Sequence, residues 1–248
     1  MKSGLSANIL VHPLAAALLG APPRCSQRIH IDSGDGGNGF VLRERARRRG
    51  IDVELIRAGM DELLPGGDIY LLGGGEDGPQ RLAVVLLEEA GFSRRVAEGA
   101  MVFAVCAGLQ MLGSRFSVQG DDEYVGLGLV DAVTTRASTR AVGDLVTTVE
   151  GTTMVGFENH GGETTIGASV EPFATVERGH GNDGRLDGFR AGRIWATYAH
   201  GPVLALNPWL ADAVLAEALE MSELAPLPSV ADQLYESRCR VLTRRAAD

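Results

Sequence analysis

The stretch MVFAVCAGLQML, residues 101–112, ends an apolar run on Cys106, follows it with Ala107 and Gly108, and places Gln110 four residues on. A strand that turns sharply into a helix exposes the residue at the turn, and small neighbours let the backbone make that turn. Where strands alternate with helices, this position lies at the carboxyl edge of the sheet, where ligands bind. A thiol there suits nucleophilic attack. The free amides that open the next helix favour the thiolate. The amide of Ala107 is placed to donate to an oxyanion formed by the attack. A lone cysteine after a strand is more often a buried small hydrophobe. The Cys–Ala–Gly–x–Gln context favours the catalytic reading over that one.

A cysteine nucleophile needs a base. The histidines are His12, His30, His160, His180 and His200. His200 closes the apolar run RIWATYAH (193–200), which reads as a strand, so it falls at the same edge as Cys106. His160, in GFENHGG (156–162), is the rival, although a histidine among Asn and Gly more often orders a loop. The loop LLGGGEDG (71–78) offers a second oxyanion donor, because Gly73, Gly74 and Gly75 let main-chain amides approach a substrate closely. Three glycines could also cradle a phosphate or simply turn the chain.

The elements that must position these groups follow from periodicity. ANILVH (7–12), IDVELIRA (51–58), the start of GDIYLLGGGEDG (67–78) and AMVFAV (100–105) read as buried strands. NGFVLRERARRRG (38–50) and PQRLAVVLLEEAG (79–91) read as helices, each stopped by glycine, and AGLQMLGSRF (107–116) as a third. The alternation predicts an α/β fold with a mostly parallel central sheet and helices on both faces. The second half is richer in strands, with GLVDAVTTR, GDLVTTVEG, TMVGFENH and LDGFRAGRIWATYAHG, before helices over 207–220 and 229–246. The simplest organisation is one domain over 1–248, with a core of about 34–220, a variable stretch at 12–33 and a C-terminal helix over about 229–246.

Composition excludes several functions. The net charge of −9 argues against nucleic acid, whose binding rests on neutralising phosphates. Arg43, Arg45, Arg47, Arg48 and Arg49 do cluster, yet Glu44 and Arg48 stand four apart, as on a solvated helix face. Lys2 is the only lysine, so there is no Walker A lysine for a nucleotide and no internal lysine for a Schiff base. Cys25, Cys106 and Cys239 are odd in number and widely separated, which implies neither a disulfide framework nor a zinc site and fits a reducing cytoplasm. HPLAAALLGA (12–21) is a weak signal-peptide pattern, and no run is long enough to span a membrane.

Taken together, GDGGN (34–38), RERARRRGIDVEL (43–55), DIYLLGGGEDGPQ (68–80), AVCAGLQMLG (104–113), GLGLVDAVTTR (126–136), TRAVGD (139–144), GFENHGG (156–162) and TYAHGPVLALNPWLAD (197–212) resemble the class I glutamine amidotransferases. Within them the chain resembles the GatD-type group related to cobyric acid synthase. The resemblance implies that Cys106 attacks the side-chain amide of glutamine, forms a thioester and releases ammonia, with His200 as general base and acid. It implies an oxyanion hole from the amides of Gly75 and Ala107. It assigns Arg140 to the substrate carboxylate, which a guanidinium can bind bidentately, and Gln110 and Gly74 to the pocket wall. Many class I members carry His-x-Glu, but His200 is followed by Gly201, Pro202 and Val203. A third catalytic member would come from elsewhere in the chain or from a partner.

The resemblance also implies a partner. This chain holds no cofactor or metal of its own, so ATP and Mg²⁺ belong to a Mur-ligase-like synthetase of the MurT type, in a cytoplasmic heterodimer that amidates the D-glutamate carboxyl of lipid II. The chain departs from the group in the stretch 12–33, in Gly36 where an arginine is usual, and in CAGLQ for CGGYQ. Three alternatives stand beside this function: a subunit serving another carboxylate acceptor, a stand-alone cysteine hydrolase, and a non-catalytic scaffold.

Overall fold

The computed structural model describes residues 6–12, 35–57, 67–74, 80–117 and 122–244. Gly75 and the stretch 13–33, with Cys25 and His30, lie outside the described residues. In chain order the elements are β1 (Ser6–His12), α1 (Asp35–Arg48), β2 (Asp52–Arg57), β3 (Ile69–Leu72), α2 (Gln80–Glu89), α3 (Phe92–Ala97), β4 (Met101–Val105) and α4 (Ala107–Leu112). There follow β5 (Arg115–Phe116), β6 (Tyr124–Val125), β7 (Ala132–Val149), β8 (Thr152–Ile166), β9 (Ala174–Arg178), β10 (Leu186–Asp187), β11 (Phe189–Ala191) and β12 (Ile194–Thr197). The chain closes with α5 (Val203–Leu206), α6 (Pro208–Ala218) and α7 (Val230–Arg244).

The central sheet runs β11-β12-β4-β3-β1-β2 and is parallel except where β11 pairs antiparallel with β12. Its middle strands β3, β4 and β12 are buried at every residue, as expected for parallel strands covered on both sides. The crossover from β1 to β2 runs one way along the sheet and that from β3 to β4 the other. Right-handed crossovers of opposite direction put their helices on opposite faces and open a crevice at the carboxyl ends between them.

A second sheet, β10-β9-β7-β5-β6 with β8 on β7, is dominated by the long antiparallel hairpin β7–β8. GLVDAVTTR and GDLVTTVEG are thus parts of one bent strand, whose register shifts between Arg136 and Ala141. The expected helix over 107–116 stops at Leu112. Ser114 N donates to Ala132 O at 2.8 Å, and a Cβ at Gly113 would stand 2.6 Å from that same oxygen, so the chain is drawn into the second sheet as β5. The helix expected over 38–50 begins earlier, at Asp35, and ends at Arg48, with Gly50 at φ 71 beyond it.

The arginine cluster divides in two. Arg47 and Arg48 pair with Glu44 on an exposed face, as the spacing predicted. Arg45 and Arg49 turn inward to Asp212 of α6, at 2.6 and 2.7 Å. Being four residues apart, they share the helix face that packs on α6, and they join the two helices.

Candidate active site

Cys106 sits directly after β4 with φ 52 and ψ −107, outside the regions that an L-residue ordinarily occupies. Its amide donates to Thr197 O of the neighbouring parallel strand β12 at 2.9 Å, and its carbonyl accepts the first bond of α4, from Gln110 N, at 3.1 Å. The strained turn is enforced from below. A Cβ at Gly108 would stand 2.6 Å from Leu72 O, so only glycine lets α4 start against the end of β3. The amides of the first residues of α4 have no acceptor within the helix. Gly73 and Gly74 are buried at the carboxyl end of β3, beside this turn.

His200 lies beyond the adjacent strand, at the same edge. The strand expected over RIWATYAH ends at Thr197, three residues early, because side chains take over its main-chain partners. Asp187 accepts from Tyr198 N at 3.0 Å and from the Thr197 hydroxyl, whose Oγ1 in turn accepts from Ala199 N at 2.9 Å. The chain leaves the sheet and is caught again by β8: His200 N donates to Phe157 O at 2.7 Å, and Phe157 N to His200 O at 3.2 Å. Gly156 permits this approach, since a Cβ there would stand 2.7 Å from that of Ala199.

The matched motifs GDGGN and HGP meet at this turn. Asn38 Oδ1 accepts from Leu204 N at 3.0 Å, and a Cβ at Gly37 would collide with the Pro202 ring. Asn207 ties the next turn to β8 by accepting from Val155 N and donating to Val155 O, at 2.8 and 2.7 Å.

His200 is mostly buried, and its Nε2 has no hydrogen-bond partner among the described residues. Burial pushes its pKa down to about 4, helped by the nearby positive charges of His160 and Arg140. The imidazole is therefore neutral at neutral pH, the form that carries the lone pair a general base needs. Arg140 is exposed on β7, where its Nε donates to Asn159 Oδ1 at 2.7 Å and its guanidinium also reaches the Asn159 carbonyl.

The rival base is occupied elsewhere. His160 lies within β8, where TMVGFENH read as a strand, with one ring nitrogen 2.9 Å from Gly162 O and the other 3.4 Å from the Glu158 carboxylate. Both nitrogens face acceptors, so neither is available to a thiol. Gln110 is buried within the site, donating to the Tyr198 hydroxyl at 3.3 Å and accepting from Gln80 at 3.2 Å.

Gly74, Cys106 with Ala107, and the segment bearing His200 thus follow β3, β4 and β12 at one edge of the sheet, Gln110 lies in α4, and Arg140 stands on β7, close enough to His200 for its charge to act on it. Sequence reasoning missed Glu158, Asp187 and Tyr198. The short spacing in FENH and TYAH was the available signal, but the pairing that gives these residues meaning spans 22 residues for Glu158 with His180 and 88 for Gln110 with Tyr198. Among the described residues no helix is long and apolar enough to cross a membrane.

Residues 38–208 match the CobB/CobQ-like glutamine amidotransferase domain. The lipid II isoglutaminyl synthase (glutamine-hydrolyzing) subunit GatD of Staphylococcus aureus strain N315 is 31% identical over 229 residues, spanning 89% of this chain and 93% of that protein. The protein of the same name from Streptococcus pneumoniae strain R6 is 29% identical over 198 residues, 75% of each chain. Among solved structures, a crystal structure of a glutamine amidotransferase matches with a TM-score of 0.55 at 21% identity, covering 85% of this chain and 98% of that one, a likeness of fold.

Proposed function

This chain belongs to the CobB/CobQ-like glutamine amidotransferase family, and from that starting point we propose that it is the glutamine-hydrolysing subunit of an amide-forming ligase. The observation that carries the reading is Cys106, held at a strained strand–helix turn one strand away from the segment bearing His200.

In this reading Cys106 gives its proton to His200, and the sulfur attacks the side-chain amide carbon of L-glutamine. The carbonyl electrons move to oxygen, which accepts hydrogen bonds from the amides of Ala107 and Gly75. Collapse of the adduct expels the amino group, which takes the proton from His200 and leaves as ammonia. A water molecule then gives a proton to His200 and attacks the thioester. Collapse of this second adduct releases glutamate, and the thiolate recovers its proton. Arg140 binds the substrate α-carboxylate, and Gln110 and Gly74 line the pocket.

Ammonia made here serves a Mur-ligase-like synthetase that binds ATP and Mg²⁺, in a cytoplasmic heterodimer of the MurT type. The acceptor is the D-glutamate carboxyl of lipid II. The names of the two bacterial relatives, one matched over 93% of its length, support that acceptor. A carboxylate from elsewhere in the chain or from the partner completes the catalytic set in this reading.

The test is ammonia release from L-glutamine by the wild type and Cys106→Ala, alone and with the co-purified ligase-like protein. Release that needs Cys106 and rises with the partner is expected. Equal release by Cys106→Ala would remove the thioester mechanism.

A further inference from the structure

Outside the proposed reaction, the most elaborate polar construction in the described residues is a buried cluster behind the site. The His160 side chain is 1% exposed and that of Glu158 4%. Glu158 is fixed by main-chain donors from another loop, His180 N at 2.7 Å and Gly181 N at 2.9 Å. Burial pushes this carboxyl up, but the His160 ring and these amides outweigh burial and hold it below the usual range. The imidazole is gripped at both nitrogens, by Glu158 and by the Gly162 carbonyl, so its plane is set.

That plane lies on Tyr198. The ring centroids are 3.8 Å apart and the planes 19° from parallel. Tyr198 is fully buried, and its hydroxyl is a junction: Gln110 of α4 donates to it at 3.3 Å, and Thr164 of β8 lies 2.7 Å away, itself 2.8 Å from Thr134 of β7. Gly162 is needed for this packing, since a Cβ there would stand 2.7 Å from Gln110 Nε2 and 3.2 Å from the Tyr198 hydroxyl. One residue, Ala199, separates Tyr198 from His200.

Burying several polar side chains costs more than filling the same volume with hydrocarbon unless each is paired, and a paired network fixes geometry more tightly than an apolar core does. Here the paired atoms join the helix that follows Cys106, the segment that carries His200 and the hairpin that carries Arg140. We propose that His160 is a positioning residue for glutamine hydrolysis: its fixed ring clamps the face of Tyr198 and so holds the His200 segment in register with the Cys106 helix. The proposal rests on the glutaminase reading above and adds to it a residue that touches neither substrate nor thiol.

The test compares kcat and KM for ammonia release by the complex with its synthetase partner. His160→Ala should lower kcat about 10- to 100-fold, the scale of a small misplacement of reacting groups, and leave KM within about twofold. His160→Phe keeps a flat ring on Tyr198 and fills the space, so it should retain kcat within about fivefold and tests the idea even if the alanine variant is unstable. In a Tyr198→Leu background, His160→Ala should have little further effect, because coupled residues are not additive. A purely structural role predicts loss of thermal stability with kcat and KM moving together. That result, full kcat in His160→Ala, phenylalanine no better than alanine, or additivity with Tyr198→Leu would each overturn the proposal. Wild type lacking Cys106-dependent release would instead remove the glutaminase reading, and this proposal with it.

Discussion

The main chains of Phe157, in β8, and His200, beyond the end of β12, exchange hydrogen bonds in both directions, at 2.7 and 3.2 Å, in an isolated bridge. The proposed base is therefore placed by the β7–β8 hairpin as much as by the strand that leads to it. The same hairpin carries Arg140, so the proposed base and the proposed carboxylate ligand share one support.

Gly156→Ala tests that support. The added methyl would stand 2.7 Å from Ala199 Cβ and 3.2 Å from the His200 carbonyl oxygen. Overpacking of this kind costs about 1–3 kcal/mol. Thermal unfolding should show that loss, and ammonia release at saturating glutamine should fall further than the stability change explains.

Arg140→Met should raise KM for glutamine at least about tenfold and change kcat little, because a carboxylate ligand acts in ground and transition states alike. Arg140→Lys should restore little, since an ammonium cannot hold a carboxylate in the same fork. Steady-state kinetics with glutamine as the varied substrate will separate the two parameters.

Two buried groups give stability opposite pH slopes. His200 is pushed down by burial from 6.5 to about 4, so the stability it contributes is complete above pH 6.5 and is lost as pH falls towards 4. Asp187 is pushed up by burial from 3.8 to about 6, against the hydrogen bonds from Thr197 and Tyr198, so its contribution is complete below pH 3.8 and is lost as pH rises through 6. Between about pH 4 and 6 the two oppose each other. Asp187→Asn should make stability rise more steeply with pH across that window, and His200→Gln should make it rise less steeply or fall. Urea unfolding at several pH values measures both slopes.

Asp212→Ala should destabilise the fold by about 3 kcal/mol, because it strands the buried guanidinium of Arg45 and removes one of the acceptors of Arg49. Glu44→Ala, which removes only an exposed partner, should leave the unfolding midpoint unchanged.

Much of the site was legible in the sequence because its signals are local. An apolar run, a cysteine and two small residues define the turn at Cys106, and the apolar run before His200 placed it at the same edge. The central sheet was legible for the same reason: β3, β4 and β12 are continuous apolar runs. Boundaries set by distant partners were not. The helix after Cys106 is cut short by Ala132, and β12 is ended by Asp187. Arg45 and Arg49 read as surface until α6 brings Asp212 to them. The role of His160 was not legible because its partners, Tyr198 and the amides that fix Glu158, come from segments about 20 to 40 residues away. Gly75, assigned to the oxyanion hole, lies outside the described residues.

The central claim is that Cys106 is the nucleophile for a glutamine amide. The most direct measurement is covalent labelling by a glutamine-like electrophile, with the adduct located by peptide mass spectrometry and L-glutamine added as competitor. A single adduct on Cys106, suppressed by glutamine and slowed by His200→Gln, is the predicted result. Equal labelling of Cys25, Cys106 and Cys239, or labelling that glutamine does not suppress, would contradict it.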